Sequence, residues 1–258
     1  MTTETVDFDA ARRFGGLDRL YGVAGAVRIR ASHVMVVGIG GVGSWAVEAL
    51  ARSSVGRITM VDMDHVSESN INRQIHATQL TLGQSKIAAM QDRIALINPE
   101  CNVQCIDDFV TPENWLSLIP ADVDVVIDAC DQVQAKTAMA AWAIRSKQLF
   151  ISVGAAGGKR LAHLVDIDDL SKTTHDPLLA QLRYRLRKEH GAPREGRKIG
   201  VNCIFSREAV KQPNTSNATT TTDSTLNCHG YGSVVSVTAT FGQCAAGWAL
   251  DKLANLIE

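Results

Sequence analysis

A glycine-rich turn followed by carboxylates is the first pattern in this chain with a chemical meaning. Glycine lets a backbone approach a phosphate closely, and a helix that begins after such a turn stabilises negative charge. A carboxylate about twenty residues further on can accept hydrogen bonds from ribose hydroxyls. The pattern predicts a nucleotide site, with a merely structural turn as the alternative; its members are Gly38, Gly40, Gly41, Gly43, Asp62 and Asp64.

Charged residues further along the chain favour ATP over NAD. A triphosphate needs cations to offset its charge and an acid that can hold Mg²⁺, whereas hydride transfer has little use for either. The residues of these types are Asn70, Arg73 and Gln74 in the segment SNINRQ, then Lys86, Asp128 and Asp131. Solvated surface charges remain the alternative for Arg73 and Lys86 taken singly.

The elements that would position these residues alternate between strand and helix patterns. Continuous β-branched runs predict parallel strands, and the segments between them predict helices, as in a doubly wound sheet. The carboxyl edge of such a sheet is where ligands bind. Strands are predicted at 33–39, 57–64, 102–110, 123–130 and 149–157, and helices at 8–31, 44–53, 84–99, 113–119, 134–148 and 176–191.

The second part of the chain departs from this rhythm. Residues 163–173 predict a further strand, and 212–232 are polar, of low complexity and predicted to be a mobile surface loop. Residues 233–250 predict a strand and then a helix. We therefore expect one domain over 1–258 of the α/β class, with a Rossmann-like, mainly parallel sheet. Residues 8–160 would form its nucleotide-binding core, and a C-terminal extension over 161–258 would complete the sheet.

Composition bears on the partners and the cellular location of the protein more than on its chemistry. The formal net charge is -1 and aromatic residues make up 5%, so neither predicts a nucleic-acid partner. The six cysteines include no C-x-x-C pair, which argues against a zinc site. The first residues lack a signal-peptide pattern, and 233–250 are too polar to favour a membrane span. We expect a cytoplasmic protein with free thiols.

The segments GIGGVGS, VDMDHVSESNINRQ, GQSK, INP and DACD together resemble the adenylating domain of the ubiquitin-activating-enzyme superfamily, which includes the bacterial proteins MoeB and ThiF. The resemblance implies that ATP and Mg²⁺ bind, and that an N-terminal arginine reaches into the partner's site of a homodimer. It assigns ATP binding to Gly41 and Asp62, phosphate binding to Arg73 and Lys86, Mg²⁺ to Asp131 and the reaching arginine to Arg13. Asn70 and Gln74 fall in the same motif.

One branch of the superfamily fits better than the others. The zinc-binding C-x-x-C pairs of MoeB are missing, while RRFGGLDRLYG, GAAGGK, DPLLAQLRYRLRK and GYGSVVSVTATFG resemble the tRNA threonylcarbamoyladenosine dehydratases. This resemblance implies ATP-dependent cyclisation of N6-threonylcarbamoyladenosine at position 37 of tRNA, through an acyl-adenylate and without zinc. It leaves open whether a monovalent cation binds and whether a cysteine-desulfurase or sulfur-acceptor system supports the cycle.

Two further groups of residues are candidates for roles in such a reaction. Cys228, beside His229, could form a thioester, with Cys203 as the second candidate and ordinary cysteines as the alternative. A basic stretch could contact tRNA phosphates, with a solvated helix face as the alternative; its members are Arg183, Arg185, Arg187, Lys188, Arg197 and Lys198.

Three rival functions remain at this stage. The protein could adenylate the C-terminus of a ubiquitin-like sulfur-carrier protein, but the basic helix and the missing C-x-x-C pairs count against this. It could be an NAD-dependent oxidoreductase, which the set Arg73, Lys86 and Asp131 disfavours. It could also be a nucleotide-binding scaffold without activity.

Overall fold

A seven-stranded sheet organises the chain. The computed structural model describes residues 8–194, 196–211 and 231–256. The strands are β1 His33–Val37, β2 Arg57–Val61, β3 Asn102–Ile106, β4 Val125–Asp128, β5 Leu149–Val153, β6 Val165–Asp169 and β7 Asn202–Ser206, in the order β3-β2-β1-β4-β5-β7-β6. Only β6 runs antiparallel to its neighbour. The predicted α/β fold with a mainly parallel sheet is confirmed.

Helices cover both faces of the sheet, which explains why the central strands are continuous apolar runs rather than alternating ones. One face carries α1 Ala10–Ala31, α2 Gly43–Arg52, α3 Lys86–Ile97 and α7 Val235–Ala254. The other carries α4 Trp115–Leu118, α5 Val133–Ser146 and α6 Pro177–Glu189. All five residues of β1 and all four of β4 are buried. The order of β1, β2 and β4 brings the turns that follow them to one edge, the carboxyl edge.

The C-terminal segment corrects one prediction. Residues 233–250 do not begin with a strand, because α7 is a continuous helix of 20 residues. The helix packs closely against α2 at Gly242, where a Cβ would lie 2.8 Å from the backbone nitrogen of Ala46. The strand that completes the sheet beside β5 is β7, which the sequence patterns did not single out.

The membrane question is settled for the described residues. None of their helices is long and apolar enough to cross a membrane. The helix α7 instead buries Val237, Phe241, Ala245 and Ala249 in the core.

Candidate active site

The glycine turn joins β1 to α2 at the carboxyl edge. Gly38 has a φ of 86°, in the left-handed region that favours glycine, and a Cβ there would lie 2.9 Å from the nitrogen of Cys130. A Cβ at Gly43 would collide with the carbonyl oxygen of Gly38. These two glycines therefore build the turn.

Of the other two glycines, Gly40 faces open space and Gly41 lies against Arg73. A Cβ at Gly40 would have only Nε2 of Gln74 nearby, at 4.0 Å, and one at Gly41 would lie 3.3 Å from Cγ and Cδ of Arg73. Among the described residues, the backbone N–H groups of Gly40 and Gly41 have no hydrogen-bond acceptor. Unpaired N–H groups before a helix form an anion-binding concavity.

Asp62 ties the turn to the end of β2. Its Oδ2 accepts a 2.6 Å hydrogen bond from the N–H of Ile39, inside the turn, and its Oδ1 accepts one of 2.9 Å from the N–H of Asp64. Burial raises the pKa of Asp62 against the opposing charge of Lys86. The carboxylate lies where a ribose beyond the turn would meet it.

Lys86 is a buried cation at this edge. It begins α3, is 4% exposed, and its Nζ lies 2.6 Å from Oδ2 of Asp64 and 4.0 Å from Oδ1 of Asp62. The structure thus brings together three residues that were predicted at the nucleotide site, Asp62, Asp64 and Lys86. The two carboxylates hold this ammonium in place at the carboxyl edge.

Arg73 is held beside the glycine turn by its backbone. Its carbonyl oxygen accepts hydrogen bonds from Nε1 of Trp45 in α2, at 2.9 Å, and from Oγ1 of Thr238 in α7, at 3.4 Å. Its Nη1 donates to the carbonyl of Ser69 and to Oδ1 of Asn72, at 2.6 and 2.9 Å. The chain alone did not indicate Trp45 or Thr238, because helix faces far apart in sequence meet here.

Asn70 and Gln74 have different positions around Arg73. Asn70 ends a short 3-10 helix, Glu68–Asn70, and its Oδ1 accepts from the N–H of Ser67, so it shapes the loop that presents Arg73. Gln74 is buried, and its Oε1 has no hydrogen-bond partner among the described residues. Since a buried orphan acceptor is costly, Gln74 offers an acceptor to a ligand donor at the turn.

The acids after β4 separate into two roles. Asp128 is fully buried and its Oδ2 lies 2.9 Å from Nζ of Lys136, which also donates to Oγ of Ser152 and to the carbonyl of Val153. Burial would lower the pKa of Lys136, but the carboxylate of Asp128 raises it above its usual value. Asp128 is therefore not available to a metal. The sequence patterns did not indicate Lys136 as the partner of Asp128.

Asp131 is an exposed acid at this edge. It forms no salt bridge with the described part of the chain, and its Oδ1 accepts a hydrogen bond of 3.5 Å from Nε2 of Gln132. Among the described residues no group of three or more His, Cys, Asp or Glu side chains could hold a metal ion. The residues present fit Mg²⁺ only as an ion shared with substrate phosphates, the arrangement that Mg²⁺ prefers in nucleotide enzymes.

Arg13 lies far from the site of its own chain. Its Nη1 donates to the carbonyl of Ile97, at the C-terminal end of α3, at 2.9 Å. The site residue Lys86 stands at the other end of α3, about 16 Å away at 1.5 Å per residue. Arg13 therefore cannot reach this site from within the same chain.

The cysteine candidates are placed as follows. Cys228, with His229, lies outside the described residues. Cys203 is fully buried in β7, and burial raises the pKa of its thiol well above the usual value. The second candidate for a thioester is therefore wrong, since an inert buried thiol is no nucleophile.

The basic residues of α6 lie away from the glycine turn. Arg183 donates to the carbonyls of Leu170 and Thr173, so it holds the fold together. Arg185 pairs with Glu189 at 3.6 Å, and Arg187 donates to the carbonyl of Pro193. The exposed cations are Lys188, Arg194, Arg197 and Lys198. They precede β7, which runs parallel to β5, so they stand at the amino edge of the sheet.

His76 is a buried titratable residue that the sequence did not single out. It is 2% exposed and neither ring nitrogen has a hydrogen-bond partner among the described residues. Burial, with the charges of Lys86 and Arg93, lowers its pKa to about 4. The ring is therefore neutral at physiological pH and packs behind the loop that carries Arg73.

Comparison with known proteins identifies the family to which the chain belongs. The model of the ThiF family matches residues 15–257. A relative from Haemophilus influenzae named tRNA threonylcarbamoyladenosine dehydratase is 44% identical over 244 residues, covering 94% of this chain and 93% of the relative.

Two solved structures of the Escherichia coli tRNA N6-threonylcarbamoyladenosine dehydratase, TcdA, share the fold. The complex with AMP has a TM-score of 0.87 at 43% identity and covers 97% of each chain. The complex with ATP has a TM-score of 0.84 at 43% identity, covering 96% of this chain and 97% of that one. The chain therefore belongs to the ThiF family, in the branch formed by the tRNA threonylcarbamoyladenosine dehydratases.

Proposed function

We propose that the protein is an ATP-dependent tRNA threonylcarbamoyladenosine dehydratase that cyclises the modified base at position 37 of tRNA. The observation that carries the proposal is the carboxyl edge. It combines a glycine turn with unpaired N–H groups, a ribose acid at Asp62, two cations at Arg73 and Lys86, and an exposed acid at Asp131. The end-to-end match to dehydratases supports the choice of substrate.

The chemistry needs positioning and charge neutralisation more than a nucleophilic side chain. The substrate carboxylate attacks the α-phosphorus of ATP, an O–P bond forms, and pyrophosphate leaves. A nitrogen or oxygen of the carbamoyl group then attacks the acyl carbon and AMP leaves with the carboxylate oxygen. The net change is loss of one water from the nucleoside. Oriented reactants and fixed charges account for large rate gains in such steps.

Each residue of the edge has a task in the adenylation step. The N–H groups of Gly40 and Gly41 bind phosphate oxygens, and Arg73 and Lys86 offset the charge that develops on the leaving pyrophosphate. Asp62 orients the ribose, and Gln74 accepts a hydrogen bond at the turn. Asp131 would hold Mg²⁺ together with the phosphates, where the ion supplies Lewis-acid charge.

Arg13 supports a homodimer as part of this proposal. It stands a helix length from its own site, and α1 exposes Leu20, Val23 and Val27, which are 73%, 70% and 53% exposed. Such a stripe suits a partner subunit. Mixing the inactive variants Arg13→Ala and Arg73→Ala tests this, because a hybrid dimer would regain one intact site. Mixtures that stay inactive would contradict a shared site.

The exposed cations at the end of α6 and after it would contact tRNA phosphates remote from the reacting base. They are Lys188, Arg194, Arg197 and Lys198, at the edge opposite to the glycine turn. Their loss should weaken RNA binding for any sequence, since phosphate contacts carry no base information. This proposal needs no sulfur-transfer partner.

Isotope transfer tests the proposed route. A tRNA whose threonylcarbamoyl carboxylate carries ¹⁸O is incubated with the protein and Mg²⁺-ATP. Adenylation places one labelled oxygen in AMP, whereas a mechanism that releases water directly leaves AMP unlabelled. Activation of a ubiquitin-like sulfur carrier, the rival function, would instead give pyrophosphate exchange that depends on the carrier protein and not on tRNA.

A further inference from the structure

A second recess opens at the carboxyl edge, beside the candidate ATP site. It has a volume of about 510 Å³ and is lined by the turn Gly158–Arg160 after β5, by Lys211 after β7, and by residues 232–234 before α7. We refer to it as the basic cleft. The candidate residues for ATP binding do not line it.

Three cations surround the basic cleft. Arg160 and Lys211 are exposed, and neither side chain forms a salt bridge with a described residue. Lys159 is 1% exposed and donates to the carbonyls of His175 and Glu208. Two carboxylates among the described residues, Asp176 and Glu208, lie close enough to act on Lys159, so three cations and two carboxylates leave the local charge positive.

One oxygen of Glu208 is committed within the chain, while its Oε1 is buried without a hydrogen-bond partner among the described residues. Its Oε2 accepts hydrogen bonds of 2.8 Å from the N–H groups of Arg160 and Leu161. Burial would raise the pKa of Glu208, but these N–H donors, with Lys211 and Lys159, hold it below the usual value. The carboxylate thereby fixes the turn that carries Arg160, and leaves the guanidinium free to face the cleft opening.

Two hydrogen bonds connect the basic cleft to the candidate ATP site. Nδ2 of Asn72 donates to the carbonyl of Ser233, in the wall of the cleft, at 3.1 Å. Oδ1 of the same Asn72 accepts from Nη1 of Arg73 at 2.9 Å. Asn72 therefore joins the wall of the cleft directly to the loop that carries Arg73.

The start of α7 adds to the positive potential. The helix has 20 residues, no acidic residue in its first turn and no side-chain cap at Val234. Its N-terminal dipole and free N–H groups favour an anion close to Ser233. The cations that line the recess and the start of α7 all favour a negatively charged ligand.

We infer that the basic cleft binds an oxyanion of the RNA substrate, through Arg160 and Lys211, and so places the modified base at the candidate ATP site. The inference rests on the proposed function. The oxyanion is either a backbone phosphate next to the modified nucleoside or the threonylcarbamoyl carboxylate itself, since both present oxygen atoms that Arg and Lys bind well.

Binding of two synthetic anticodon stem-loops tests the inference. One carries threonylcarbamoyladenosine and the other adenosine at the same position. Dissociation constants are measured by fluorescence anisotropy at several salt concentrations for the wild type and for the double variant Arg160→Ala, Lys211→Ala. We expect affinity to fall at least ten-fold and the salt slope to fall by about 1 for each phosphate that the variant no longer binds.

The two RNAs distinguish the two oxyanions. Equal weakening for both assigns the cleft to a phosphate, and weakening of only the modified RNA assigns it to the carboxylate. Unchanged affinity for both RNAs overturns the inference. The charge-keeping variant Arg160→Lys, Lys211→Arg should bind as the wild type does, which separates charge from shape.

Two controls complete the test. Lys252→Ala removes an exposed lysine at the far end of α7, about 27 Å along the helix, and should leave both affinities unchanged. Nucleoside analysis of the modified RNA after incubation of the wild type with ATP tests the proposed function separately. An unchanged nucleoside would refute the function, whereas unchanged affinities would refute the basic cleft.

Discussion

Adding one methyl group to each of two glycines in the same turn separates binding from folding. At Gly40 a Cβ has only Nε2 of Gln74 nearby, at 4.0 Å, which is ordinary contact. At Gly43 a Cβ would overlap the carbonyl oxygen of Gly38, and backbone cannot move aside cheaply. The variant Gly40→Ala should therefore be as stable as the wild type, while Gly43→Ala should be destabilised.

The two variants should change different quantities, the Kd for ATP at Gly40 and the Tm at Gly43. The methyl of Gly40→Ala occupies the space where a phosphate would meet the N–H groups of the turn. Losing one or two hydrogen bonds to a charged group costs about 3 kcal/mol, so the Kd for ATP should rise about 100-fold. Overpacking at Gly43 costs about 3 kcal/mol, which lowers the Tm by roughly 6–12 °C in a chain of this size.

Calorimetric titration with ATP and thermal denaturation measure both quantities on each variant. We expect that Gly40→Ala keeps the wild-type Tm but binds ATP more weakly, and that Gly43→Ala has a lower Tm. Wild-type ATP affinity in a folded Gly40→Ala protein would show that the nucleotide does not approach the turn, and the site assignment would be wrong.

Three further predictions concern stability and catalysis. Folded His76 takes up a proton only near pH 4, whereas the unfolded imidazole does so below about pH 6.5, so stability is full above pH 6.5. Urea denaturation should show wild type losing about 3 kcal/mol more than His76→Gln between pH 6.5 and 4, and parallel pH profiles would contradict this. Lys136→Met leaves Asp128 buried without its cation and should lower the free energy of unfolding by about 3–5 kcal/mol. An unchanged midpoint of urea denaturation would show that the pair contributes nothing to stability. Asp131→Ala and Arg73→Ala should abolish AMP formation without changing the Tm, and wild-type turnover by either folded variant would refute their roles.

Local patterns predicted most of the core of this fold. Strands β1, β2, β4 and β5 were predicted by β-branched runs, and each prediction ran past the end of its strand. The excess residues, such as Gly38 and Asp62, are the ones that turn away to form the site. At these residues the backbone leaves the sheet to form the candidate ligand site. The hydrophobic pattern of the sequence does not show where this change of direction begins.

Two elements depended on contacts that no local pattern encodes. The start of α7 is rich in β-branched residues and predicted a strand, but it is helical and buries Val237 and Phe241 in the core. The short strand β7 follows a basic stretch and was not indicated, although it lies between β5 and β6. In both cases tertiary packing overrides intrinsic propensity.

The candidate site shows the same division. The types and order of Asp62, Arg73 and Lys86 predicted their proximity, because strand ends of a parallel sheet meet at one edge. The sequence could not show that Asp128 is neutralised by Lys136, nor that Trp45 and Thr238 hold Arg73. Such partners lie on other elements, and only the packed fold brings them together.

Mass analysis of nucleosides tests the proposed function most directly. Transfer RNA that contains threonylcarbamoyladenosine is incubated with the pure protein, with and without Mg²⁺-ATP, and then digested. We expect that the modified nucleoside loses one water only when ATP is present. An unchanged nucleoside, from protein that still exchanges pyrophosphate with ATP in the presence of a sulfur-carrier protein, would contradict the dehydratase function and favour activation of that carrier.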